Sequence, residues 1–86
     1  MEFTDLEKTL LERMLNDNRI GGRHLGEQDV CRGFPSHEKG NVPKSLKKLI
    51  KNGLINHHPT SYGIQYSLNP KMIEKILEII EDEKDD

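Results

Sequence analysis

NVPKSLKKLIKNGLINHHPTSYGIQYSL, residues 41–68, decides the fold. At about 100° per residue, Val42, Leu46, Leu49 and Ile50 gather on one side of a helix predicted over Val42–Asn52. Lys44, Lys47, Lys48 and Lys51 fall on the other side. Asn41 is a capping residue type, and Pro43 sits in the first turn, where a missing N–H leaves no bond unmade. Gly53 supplies the left-handed residue that ends the helix. Leu54–His58 then reads as a strand, Pro59–Gly63 as a turn, and Ile64–Leu68 as a second strand. The last alternates with period two, so Ile64, Tyr66 and Leu68 are expected to face inward.

Upstream of this block the sequence predicts two helices. Thr4 and Glu7 have capping-box spacing, and Leu6, Leu10, Leu11, Met14 and Leu15 make a broad apolar face over Thr4–Asn18. Gly21-Gly22 ends that element, and Arg23–Leu25 is readable as a connector or as a short first strand. A shorter helix is expected over Gly26–Arg32, with Glu27 and Asp29 in the turn where the helix dipole favours negative charge. Leu25, Val30 and Phe34 are its expected core contacts, and Pro35 stops it by disfavouring helix at the preceding residue. Downstream, Asn69-Pro70 is a cap followed by proline, a helix start. Met72, Ile73, Ile76, Leu77, Ile79 and Ile80 then form a stripe to about Glu81.

The order helix, helix, helix, hairpin, helix resembles that of a winged helix-turn-helix domain, and small archaeal winged-helix proteins in particular. The residues that carry the resemblance are Gly33-Phe34-Pro35, Leu46-x-x-Leu49-Ile50-Lys51-x-Gly53-Leu54-Ile55 and Thr60-x-Tyr62-Gly63-x-x-Tyr66-Ser67-Leu68-Asn69-Pro70. The implied class is mainly α with a small β-hairpin: a three-helix core, a wing and a C-terminal helix. Residues 1–81 are expected to form that domain and 82–86 an acidic tail.

Charge is distributed unevenly along the 86 residues. The formal total is −2, which discourages tight, indiscriminate binding to polyanions. Residues 18–66 nevertheless carry eight Lys or Arg against Glu27, Asp29 and Glu38, whereas both flanking segments are acidic. A locally positive face is therefore compatible with an acidic chain. The resemblance implies double-stranded DNA as partner, with transcription regulation as the role. Asn41, Lys44, Ser45 and Lys48 are the expected groove contacts, and Lys47 and Lys51 the contacts to flanking phosphates. Thr60, Ser61 and Tyr62 at the hairpin tip are the expected wing contacts. The competing reading of the lysines is the solvated side of an amphipathic helix. The competing readings of the whole domain are a protein-interaction module in a transcription or replication complex and an RNA-binding winged helix.

The stripes on the first and last helices predict a homodimer through those helices, or else burial of one against the other. His24, Cys31, His37 and the His57-His58 pair lack the spacing of a structural zinc site, so no metal or cofactor is expected. No nucleophile elbow, phosphate loop or Cys-His arrangement is present, so an enzyme is not expected. A single cysteine forms no intrachain disulfide, and no run approaches the ~20 apolar residues of a membrane span. These features predict a cytoplasmic protein.

Overall fold

Three apolar side chains on two turns of helix organise the molecule: Val42, Leu46 and Leu49 are essentially inaccessible to solvent. The computed structural model describes residues 3–82. Its elements run α1 (Asp5–Asn16), β1 (Leu25–Gly26), α2 (Glu27–Cys31), α3 (Ser36–Lys39), α4 (Val42–Lys51), β2 (Ile55–Thr60) and β3 (Gly63–Leu68). A 3-10 turn at Pro70–Met72 leads into α5 (Ile73–Asp82). The result is mainly helical with a small three-stranded antiparallel sheet, ordered β1-β3-β2. No described helix is long and apolar enough to cross a membrane. The acidic tail expected over residues 82–86 lies outside the described residues, apart from Asp82 at the end of α5.

The start of α1 follows from its sequence. Thr4 Oγ1 accepts from the Glu7 N–H at 3.2 Å, and the Thr4 N–H donates to Glu7 Oε1 at 2.8 Å, so two orphan donors are satisfied reciprocally. Leu10, Leu11 and Met14 then enter the core, where α1 packs against both α4 and α5. Ile76, Ile79 and Ile80 of α5 are buried in the same core. The stripe that suggested a two-fold contact is thus covered largely within the chain, and Leu77 is its one well-exposed large residue.

Between α1 and α4 the structure takes one of the two alternatives left open at Arg23–Leu25, the short strand, and adds an element. Leu25–Gly26 is a strand, pairing Leu25 with Tyr66 and Gly26 with Gln65, which makes β3 the central strand. The segment between α2 and α4 holds the extra short helix α3. The chain passes from α3 through Gly40 into α4 with helical backbone, and the Asn41 N–H bonds to the Glu38 carbonyl at 2.9 Å. Asn41 therefore occupies the cap position without a side-chain capping bond, because capping needs an extended backbone there and Asn41 has φ −89° and ψ −14°. Gly53, at φ 78°, ends α4 as expected.

The β2–β3 register pairs Ile55 with Leu68, His57 with Tyr66 and Pro59 with Ile64. Opposed residues share a face, so Ile64 lies on the same side as buried Tyr66 and Leu68. It is nonetheless 43% exposed, which corrects the expectation that it is buried. Ile64 is the second residue of β3, next to the turn, and it lines an open groove beside α4. Ser67 on the opposite face is fully buried, so the base of β3 is covered on both sides.

One buried charge ties the first helix to the fourth. Glu7 is only 5% exposed, and its Oε1 receives Lys48 Nζ at 3.1 Å. Lys48 also lies over the Phe3 ring, 5.1 Å from its centroid. Removing the lysine leaves a buried carboxylate its bond from the Thr4 N–H but takes away its counter-charge, a loss larger than that of an exposed charge. Lys48→Ala is expected to destabilise the fold by about 1–3 kcal/mol, whereas Lys44→Ala stays within about 0.5 kcal/mol. Urea unfolding of both variants measures this, and equal midpoints would remove the ion pair from the account of stability.

Candidate nucleic-acid interface

Rotation of α4 sorts its polar residues into two groups. Lys44, Lys47 and Lys51 are exposed and lie within an arc of about 60° at 100° per residue. Among the described residues none of the three is ion-paired. Lys48 is turned toward α1 by Glu7, and Ser45 is buried at 7% exposure. Both were expected to reach a groove. The helical wheel places them at the edge of the polar arc, and α1 covers that edge. Asn41 is exposed, and its side chain is not used as a cap, so it joins the outward surface at the start of the helix.

The hairpin tip is locally organised. Thr60 Oγ1 donates to the Gly63 carbonyl at 2.6 Å and accepts from the Tyr62 N–H at 3.1 Å. Gly63 has φ 125°, a backbone setting that side-chain-bearing residues rarely adopt. This turn holds Ser61 and Tyr62 outward, and Tyr62 is 97% exposed. Thr60, Ser61 and Tyr62 therefore form one exposed tip. Its polar donors are hydroxyls, without a cationic side chain.

Between α4 and the hairpin runs a groove of about 360 Å³, with Pro43, Leu46 and Ile50 on one wall and His57, Ile64 and Tyr66 on the other. The sequence did not reveal it, because its walls come from α4 and from both hairpin strands, which only packing brings together. Glu27 closes the lower end, accepting from the Tyr66 hydroxyl at 2.9 Å. Burial first, then that bond and the nearby Glu27 charge, push the Tyr66 phenol up to about 12. Tyr66 is thus a neutral donor that anchors β3 to the start of α2.

The opposite face of the sheet carries a histidine pair. The His24 and His58 rings stack with centroids 3.8 Å apart and an interplanar angle of 22°. His58 Nε2 lies 3.3 Å from Ser67 Oγ. Desolvation, followed by the neighbouring His24 and His57, lowers the His58 pKa from the ordinary 6.5. His58 therefore adds no positive charge to the hairpin near neutrality. Among the described residues no group of three His, Cys, Asp or Glu is placed to hold a metal ion.

Comparison with protein-family models, with characterised proteins and with solved structures finds no match for this chain.

The His58 environment gives a pH dependence with a definite sign. With the folded pKa depressed, the unfolded chain binds the proton first as pH falls. Stability is then flat above pH 6.5 and declines below it, toward the folded value. Denaturation midpoints across that range are expected to fall for the native chain and to fall less for His58→Gln. A slope that His58→Gln leaves untouched would assign the proton to another group.

Proposed function

We propose that the chain is a winged helix-turn-helix domain that binds double-stranded DNA and acts as a transcriptional regulator. In this reading α1, α2 and α4 are the three core helices, α4 lies in the major groove and the β2–β3 hairpin is the wing. One observation carries the proposal: Lys44, Lys47 and Lys51 share one exposed arc of α4 with no carboxylate paired to them among the described residues. A major groove about 12 Å wide admits such a helix, and the ammonium groups reach phosphates on its walls. Asn41 at the helix start is the side chain suited to a base edge, since an amide both donates and accepts. Thr60, Ser61 and Tyr62 meet the backbone beside the groove. Ser45 and Lys48 leave the contact set and serve the α1–α4 packing instead.

The contact is primarily electrostatic, because lysine is a point charge that positions without discriminating bases. The proposal does not require a dimer, since the buried isoleucines of α5 already have their partners within the chain.

A protein-interaction module is the second reading, and the apolar groove beside α4 together with the exposed Tyr62 favours it. The two separate in a titration of duplex DNA at several salt concentrations. The DNA reading predicts that log K falls with log salt by about 0.9 per phosphate neutralised. Lys47→Gln is expected to reduce that slope by about 1, and Lys44→Glu/Lys47→Glu/Lys51→Glu to abolish binding. Undetectable binding of the native chain at low salt, or full retention by the triple variant, would defeat the DNA reading and leave the groove as the better candidate.

A further inference from the structure

Three arginines from three successive segments meet around one cavity on the α1–α2 side of the molecule. The cavity measures about 560 Å³. Leu10, Met14, Leu25 and Val30 supply its apolar lining, while Arg13, Arg19 and Arg32 supply cationic heads. Asp17 and Asp29 also line it, leaving an excess of one positive charge.

Two of the arginines are fixed by the fold. Arg13 lies 4.2 Å over the Phe34 ring centroid and donates Nη1 to the Arg32 carbonyl at 3.2 Å. Arg32 pairs with Asp29 at 2.9 Å. Arg19 is different. Its Nη1 makes only a long bond, 3.4 Å, to the His24 carbonyl, and its Nε is buried with no hydrogen-bond partner. A buried donor on a permanent cation is costly unless an acceptor reaches it.

We propose that this cavity binds a small organic monoanion: a carboxylate seated on Arg19 and Arg13, with an apolar body against Leu10, Met14, Leu25 and Val30. A guanidinium fork matches the two oxygens of a carboxylate, and the surplus positive charge of the rim favours an anion. The volume suits a small molecule and not a polymer. The inference stands apart from the DNA reading, because it uses no residue of the exposed α4 arc or the hairpin tip.

Amide chemical shifts of the full chain, followed while sodium benzoate is added at constant ionic strength, test it. Saturable shifts are expected at Arg19, Leu25 and Val30, with affinity in the range of about 1 mM. Inorganic phosphate, which has the charge without the apolar body, is expected to bind at least about tenfold more weakly. Arg19→Lys, which keeps the charge and loses the fork, is expected to lose about tenfold in benzoate affinity. Arg13→Gln, at an exposed position, gives the same expectation should Arg19 variants fail to fold. The proposal is overturned by non-saturable shifts up to about 20 mM benzoate, by equal binding of phosphate, or by native affinity in the folded arginine variants.

Discussion

Burial of Val42, Leu46 and Leu49 sets the rotation of α4, and most of what this surface presents follows from that constraint. A helix with three such side chains inward has no freedom to choose which polar residues face solvent. Each buried Leu or Val contributes about 1.5–3 kcal/mol, so rotating the apolar side out would cost more than any lysine contact returns. Lys44, Lys47 and Lys51 are exposed as a consequence. Their grouping is imposed by the core before any ligand is considered.

The Glu7–Lys48 pair refines that rotation and is harder to derive. Its two residues are 41 positions apart, and each alone has an adequate local explanation: Glu7 completes a capping box, and Lys48 is one lysine among four on an amphipathic helix. Only packing of α1 across α4 brings them together. The charge pattern of α4 was thus legible as a stripe, but its division into three outward lysines and one structural lysine was not. Ser45 illustrates the same limit, because a small polar residue at the edge of a stripe is covered or uncovered by its neighbour.

Elements with strong local signals were readable with accurate ends. The Thr4 cap, the glycine after α4 and the alternation along β3 all act through adjacent residues. What escaped depended on distant partners or on weak local signals. The two-residue strand β1 was one of two alternatives, decided by Leu25 and Gly26 finding Tyr66 and Gln65, and four residues of α3 are too few for a periodic pattern. Ile64 shows that periodicity assigns a face without assigning depth: its side was right, and its cover was absent. The arginine-rimmed cavity left no local signal, since only packing brings Arg13, Arg19 and Arg32 around one space.

On the proposed DNA reading, the acidic total and the basic helix are compatible for a reason of range. At physiological ionic strength charges are screened over about 8 Å, so carboxylates beyond that distance weigh little on a phosphate held against α4. Lys8 reaches Asp82 at 4.0 Å, which places an acidic end of α5 beside α1, and α1 covers the buried side of α4, not its lysine arc. The acids then lower long-range attraction, and with it the rate of encounter, more than they weaken a formed contact. Three lysines and an uncharged tip supply few phosphate contacts, so affinity is limited and sequence preference has to come from groups that hydrogen-bond directionally. Asn41 is the exposed residue of the α4 surface with that capacity, and it has it because helical backbone entering from α3 relieves its side chain of capping. The short helix missed in the sequence therefore determines what the start of α4 has to offer a base edge.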